Sequence, residues 1–429
     1  MEQRTLLSGA AVRPGIPDAT FGNDGVVTGT AATVSGQSVA VQSDGKTLVA
    51  GTNTAAGGNE AFIVTRYNTD GSIDASFGAG GSVTLNVDGG NDELAGIALQ
   101  SDGKIVLAGN DQIDSTSSAS HILLARLNAD GTLDSTFGTG GKVVATGLAP
   151  SETASAVQVG ADGSIVVAGA GTNGQVGSYA TSDILIDRFN ADGSADTTFA
   201  DNGELLTQAP GSTFSEARGL AIQSDGKIVI SADGQSGIVG SQSSSTFVLR
   251  YNAAGALDST FAANTQPIAK LTGDPGQVVV ETNGTILLAG TIATKKSGSA
   301  FGLVALNADG SLDRKFGHRG VATTSFGTYR QTSPRETAGA VAQAYGIAVE
   351  SDGDIIVSGT VQTIGEQAVL TAYRPNGKPL QKFGKKGKAS VAATGVSGLP
   401  GIALSPSGSP VAAVSGTGTF YVERFTPPI

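Results

Sequence analysis

The chain of 429 residues has no Cys and no Trp, and its only imidazoles are His121 and His318. The missing thiols exclude a disulfide framework, a thiolate metal site and a Cys nucleophile. Two imidazoles cannot build a multi-His metal centre. Charged residues are 15% of the chain and aromatics 5%, the former well below the usual ~25%. No apolar run approaches the ~18 residues of a membrane-spanning helix, so no transmembrane segment is expected. Neither a Gly-x-Ser-x-Gly elbow nor a phosphate-cradling loop occurs.

In their place stand 63 Gly, about twice the ordinary share of ~7%. The 39% hydrophobic residues are enough to bury a core, which argues against wholesale disorder. Internal repeats account for much of the Gly. A Phe followed by small residues recurs at Phe21, Phe77, Phe137, Phe199, Phe261, Phe316 and Phe383, at intervals of 55 to 67 residues. A second marker keeps step: Ser-Asp-Gly-Lys at 43–46, 101–104 and 224–227. Its variants are Asp162-Gly163, Asn283-Gly284, Asp352-Gly353 and Ser407-Gly408. Each unit reads as four short strands; in the second these are Ser82–Val87, Gly96–Gln100, Lys104–Ala108 and Ile122–Asn128. Asp-Gly pairs supply the positive φ that tight hairpins need.

Four strands per ~60-residue unit, repeated seven times, predict an all-β, seven-bladed β-propeller of antiparallel strands. A right-handed β-solenoid is the rival, although its coils are usually shorter and lack paired hairpins. The two termini are complementary pieces of one unit. Phe420-Tyr-Val-Glu-Arg-Phe ends as a unit's last strand does, and Ile16-Pro-Asp-Ala-Thr-Phe supplies what should follow. Ring closure by the termini is therefore expected, with residues 14–429 as a single domain and residues 1–13 as a leader or targeting remnant.

The stretch Arg66-Tyr-Asn-Thr-Asp-Gly-Ser-Ile-Asp-Ala-Ser-Phe-Gly, with Ile97-Ala-Leu-Gln-Ser-Asp-Gly-Lys-Ile-Val-Leu-Ala-Gly, resembles the delta-60 repeat of bacterial β-propeller-like proteins. The resemblance runs from about residue 14 to 426, is specific over units one to four, and fades afterwards. It implies a secreted or surface-associated protein and carries no established reaction. The opening Met1-Glu-Gln-Arg-Thr-Leu-Leu-Ser is similar to the Leu-Glu-Pro/Gln-Arg-x-Leu-Leu-Ser segment of exported planctomycete proteins, with Met where that motif has Leu. It lacks the apolar stretch of a signal peptide. Together these imply an extracellular or cell-surface location in a bacterium.

The repeated polar residues admit two readings. Asn68-x-Asp70-Gly71-x-x-Asp74 overlaps calcium loops, but the first ligand position holds Arg66, with Arg126, Arg188 and Arg250 in the equivalent places. A guanidinium repels a cation, so structural ion pairs are expected instead: Arg66 with Asp74, Arg126 with Asp134, Arg188 with Asp196, and Arg250 with Asp258. Arg424 would pair with Asp18 across the closure. The sixth unit has lost both partners, to Ala372 and Leu380; the fifth keeps Asp313 opposite Ala305.

Variable connections, such as Gly171–Ser182, Asp233–Thr246 and Thr324–Tyr345, fall on one face of the ring, and the repetitive turns fall on the other. Function favours variable loops on a rigid scaffold. Glu93, Glu152, Glu216 and Asp274 precede strand two in successive units and are expected to form a carboxylate arc at the channel mouth. Such an arc would suit a hydroxyl-rich or cationic ligand, and its carboxylates offer oxygen ligands to Ca²⁺. Tyr329, Arg330, Arg335 and Glu336 in the sixth-unit insert add a second polar cluster. Residues 1–260 carry net −16 and residues 261–429 net +5. The basic cluster Lys378, Lys382, Lys385, Lys386 and Lys388 has only Phe383 among it, so nucleic-acid binding is not expected.

The reading that follows is a monomeric, non-catalytic surface propeller binding a glycan or protein through variable loops. Two alternatives stay open: a lyase or hydrolase at the channel mouth, and a purely structural module.

Overall fold

The computed structural model describes residues 14–428 except 30–33, 55–57, 88, 113–118, 177–178, 237–242, 266, 269–270, 273–274, 295–297, 331–336, 364, 394, 397–400 and 417–418. Residues 1–13 thus lie outside the described chain.

Each repeat makes an antiparallel meander because its Asp-Gly hairpins join strands of alternating direction. Blade one pairs Val34–Val41, Thr47–Thr54, Glu60–Tyr67 and Ser82–Leu85 in sequence order. Blade two follows with Asn91–Leu99, Ile105–Gln112, Ser120–Leu127 and Lys142–Ala145. Blades three (152–207), four (214–251), five (278–324) and six (341–390) follow in the same manner. The seventh takes Gly401–Leu404, Pro410–Gly416 and Thr419–Arg424, and then Val26–Gly29 from the other end of the chain. Val26 pairs with Glu423 and Gly29 with Phe420, so the N-terminal strand closes the ring.

This is a seven-bladed β-propeller. First strands of successive blades touch one another and so surround the axis. Six blades carry four strands. Blade four carries three among the described residues: after Tyr251 the chain forms a short 3₁₀ turn, Ala262–Thr265, and reaches Thr246 through the Ile268 amide.

One sequence boundary moves. The segment around Ser82–Leu85, read as the first strand of unit two, pairs with Thr65–Phe62 and is the outermost strand of blade one. The sequence repeat and the structural blade are therefore offset by one strand. The same offset lets the termini share blade seven.

Second and third strands are covered on both sides, which explains their nearly unbroken apolar runs. Alternate residues serve opposite seams: Leu107, Leu123 and Ala125 face blade one, whereas Val106, Ala108, Ile122 and Leu124 face blade three. Little room is left for charge there, hence the low charged fraction.

The repeated Phe is a plug at each seam; Phe21, Phe77, Phe137, Phe199, Phe261, Phe316 and Phe383 are all fully buried. The amide after each Phe donates to the turn of the next blade: Gly78 to Asp130, Gly138 to Asp192, and likewise around to Gly384 with Pro14 and Gly22 with Asp70. The Gly of that turn rests on the Phe. A Cβ on Gly131 would stand 3.0 Å from the Phe77 ring and 2.8 Å from the Gly78 nitrogen, at φ +89°, so only Gly fits.

Arg126→Ala removes one guanidinium from this seam and leaves Asp134 partly uncompensated. Urea unfolding should lose about 2 kcal/mol, whereas Arg218→Ala on the surface should change stability by under about 0.5 kcal/mol.

Candidate functional site

The ring has two unlike faces. One carries the hairpins between first and second strands together with the links between third and fourth strands; the other carries the variable connections.

On the turn face, Arg66 Nε stands 2.8 Å from Asp74 Oδ2, and Arg126 Nε 2.7 Å from Asp134 Oδ2. The equivalent distances are 3.3 Å for Arg188–Asp196, 3.0 Å for Arg250–Asp258 and 2.8 Å for Arg424–Asp18. Each guanidinium also donates to a carbonyl of the next blade, Arg250 to Ala308 and Arg424 to Thr69, both at 2.6 Å. Four of them lie over their own Phe plugs, Arg66, Arg126, Arg250 and Arg424 at 4.4–4.8 Å. In blades one and two a Lys joins each pair, Lys46 to Asp74 and Lys104 to Asp134, both at 2.9 Å. The Ser76 hydroxyl and then Lys46 hold Asp74 well below the carboxylate range; Thr136 does the same first for Asp134.

A groove of about 1090 Å³ also lies on this face, between blades two and three, beside Asp102, Lys104, Arg126 and Asp162. Lys104 and Arg126 in it are already committed to Asp134.

On the variable face the expected carboxylate arc does not form. Glu93 and Glu216 pair with Asn110 and Asp233 in one row of their ladders. Glu152 pairs with Gly171, one row farther from the hairpin. Strand side chains alternate, so that single step turns Glu152 to the opposite side. Glu93 is exposed and Glu216 half-buried against Arg218 at 2.7 Å, whereas Glu152 is wholly buried. Asp274, Arg335 and Glu336 lie outside the described residues. Tyr329 and Arg330 fall on a short strand, Thr328–Arg330, paired with Thr337–Gly339.

Glu152 shares its row with Asp92 and Ser215, which accept the amides of Val87 and Ala209 in the connections just before their blades. It sits instead in a buried group with Asp187 and Glu204, between blades two and three. The Leu148 amide donates to Glu204 at 2.7 Å. No well-formed hydrogen bond reaches either Glu152 carboxylate oxygen, although the Ala149 amide lies toward it. Blade two meets this group with Val106, Ala108, Ile122, Leu124 and Val143, none of them charged. Burial first and then the Glu204 charge push Glu152 up to about 7. Burial also raises Glu204, and raises Asp187 well above its ordinary value. Glu423, in the Asp187 position of blade seven, is raised to about 7 by burial while accepting the Ala392 amide at 2.6 Å. Sequence reading missed this position, yet a signal existed: an acid directly before the paired Arg, where other units have Thr65, Ala125 and Leu249.

What the variable face does assemble is a recess of about 130 Å³ between blades, lined by Glu60, Asn91, Glu93, Asn110, Asp111, Ser120 and Thr153. These come from the near ends of strands in blades one, two and three. The Glu60 amide donates to Asn91 Oδ1 at 3.0 Å, and Ser120 Oγ donates to the Glu152 carbonyl. Asn110 accepts the Ala154 amide at the bulge of blade three. The walls are thereby fixed, and the exposed Glu93 carboxylate projects between them. Among the described residues no three His, Cys, Asp or Glu side chains converge as a metal site, and no helix is long and apolar enough to cross a membrane.

Five segments, 42–77, 100–137, 160–199, 223–261 and 281–316, match the family model described as "Domain of unknown function (DUF5122) beta-propeller". The chain is a β-propeller repeat protein. Each matched segment runs from a first hairpin to the Phe plug, so the model follows the sequence phase and not the blade. No curated protein matches the chain. Among solved structures it is similar to a polysaccharide lyase of family PL25, an ulvan lyase bound to -[GlcA(1-4)Rha3S]-, with 12% identity over 94% of this chain and 96% of that one, TM-score 0.52. It is similar to the polysaccharide lyase Uly1 at 13% identity over 93% and 91%, TM-score 0.52. Drosophila Semaphorin 2a is matched at 8% identity over 96% and 76%, TM-score 0.49. At these identities the likeness concerns the fold alone.

The buried acids set a pH dependence. Their folded pKa values lie above the unfolded ones, so their contribution is present in acid and lost as pH rises through about 7. Asp74 and Asp134 act oppositely and lose their contribution below about pH 4. The Tm should therefore peak between about pH 4 and 6. Glu152→Gln should raise it at pH 8 and leave it nearly unchanged at pH 5. A Tm that is flat from pH 5 to 8 in the parent would contradict the assignment.

Proposed function

We propose that the protein is a non-catalytic binding module, acting at the outside of a bacterial cell, that takes a hydroxyl-rich glycan chain on its variable-loop face. The recess around Glu93 carries this reading. Carboxylates, amides and hydroxyls line it on fixed strand ends, and hydrogen-bonding groups of that mixture suit sugar hydroxyls. The chain's net charge of −11 favours a neutral or cationic glycan over a polyanion.

Catalysis by a lyase or hydrolase would call for a titrating carboxylate open to substrate. Of the strongly raised carboxylates, Glu152, Asp187 and Glu423 are sealed between blades and Glu350 lies on the opposite, turn face, which favours binding over turnover in the recess. The repetition points the same way, since the ion pairs recur in five of the seven blades.

A glycan array followed by calorimetry on the best ligand tests the proposal. Glu93→Ala should weaken binding about tenfold, one charge-assisted hydrogen bond. Asp162→Ala, on the turn face, should leave it unchanged. Equal affinity in the parent and Glu93→Ala, or an array without any hit, would reject this site.

A further inference from the structure

Blade six keeps the backbone of its sisters and reverses the charge of its turn-face pocket. In blades one and two that pocket holds Gln42, Lys46, Arg66 and Asp74, or Gln100, Lys104, Arg126 and Asp134. The same places in blade six are Glu350, Asp354, Ala372 and Leu380. The hydrogen bonds fixing these positions are conserved. Glu350 N donates to Asp354 O at 2.8 Å, as Gln100 does to Lys104 at 2.9 Å; Leu380 N donates to Ala372 O at 2.8 Å, as Asp134 does to Arg126 at 2.9 Å. Blade six has therefore lost the guanidinium, the ammonium and the Asp that held them, and carries carboxylates where its sisters have Gln and Lys.

These carboxylates are not solvated surface groups. Glu350 is 9% exposed and Asp354 8%, and Glu350 Oε1 has no hydrogen-bond partner. The hairpin of blade seven closes over Glu350: a Cβ on Gly408 would stand 3.7 Å from its carboxyl carbon. Burial first, and then the charges of Asp352 and Asp354, push Glu350 up to about 8, so a cation placed beside it favours its ionised form. Arg374, exposed at the end of the third strand, acts on Asp354. The facing hairpin offers Ser405 and Ser407, which are bonded to each other. Two buried carboxylates, with Asp352 at the exposed hairpin tip, thus face one peripheral cation, at a seam whose backbone elsewhere frames an internal Arg and Lys.

We infer that the seam between blades six and seven is a binding site for an exogenous organic cation, a guanidinium or primary ammonium group that replaces the missing side chains. Guanidinium is the better fit, because a planar fork can satisfy Glu350 and Asp354 together. A metal ion is disfavoured, since no three ligating side chains converge among the described residues. The inference is independent of the glycan reading, which concerns the opposite face.

The test is an amide-resolved NMR titration of the full chain with N-acetyl-L-argininamide. Its neutral isostere N-acetyl-L-citrullinamide serves as the control. Saturable shifts are expected at Gly353 and Gly408 with the arginine probe alone. Glu350→Gln should weaken binding about tenfold, and so should Asp354→Lys, which installs the residue of blades one and two. Repeating the titration with an arginine-centred, end-capped tripeptide tells a peptide ligand from a free small molecule. If only the capped amino acid binds, the pocket serves free cations; if both bind, it also accepts a side chain on a peptide. The proposal fails if about 10 mM arginine probe gives no saturable shift, if citrulline shifts the same amides equally, or if both variants bind like the parent.

Discussion

The structure depends on one seam, repeated around the ring, where the link between third and fourth strands of one blade meets the same link of the next. A buried Phe fills it, a Gly in positive φ rests on the Phe, and an amide–carbonyl hydrogen bond ties the two links together. In five blades an Arg then spans the seam, held to its own blade by an Asp and donating to a carbonyl of the neighbour. Phe burial is non-directional and could not alone set the rotation between blades. The amide bond and the guanidinium are directional, so they fix that rotation. The closure obeys the same rule: Gly22 reaches Asp70 and Gly384 reaches Pro14.

Committing the repeated polar residues to the seam divides labour between the faces. On the turn face the charged groups largely satisfy one another, and sequence drift there is constrained by geometry. On the other face, connections leave the strand ends under no such demand, and side chains there are free to differ. The recess around Glu93 arises from that freedom. Blade six is the instructive exception: once Ala372 and Leu380 replaced the ion pair, the same pocket could take on a different charge without altering its backbone.

Much of this was legible in the sequence, because the devices that build the ring are local. Asp-Gly turns, the Phe period and the eight-residue Arg-to-Asp spacing all act within one unit, so each appears as a repeat. The offset between sequence unit and blade was not legible. It depends on which neighbour Ser82–Leu85 chooses, and either choice has the same local pattern. The carboxylate arc failed for a related reason. Spacings of nine and ten residues look alike in sequence, yet in a strand they differ by a change of side, which separated Glu152 from Glu93 and Glu216. The recess itself gathers residues from three blades, and no single-unit pattern announces such a site.

Amide hydrogen exchange at the seven seam positions, Gly22, Gly78, Gly138, Ala200, Ala262, Gly317 and Gly384, tests the central claim most directly. If one repeated seam holds a closed ring, all seven amides should be protected, with Gly22 and Gly384 at the junction of the termini as slow as Gly78 and Gly138. Fast exchange at Gly22 and Gly384 beside slow exchange at the other five would mean that the ring is not closed by the same interaction, and would contradict the account.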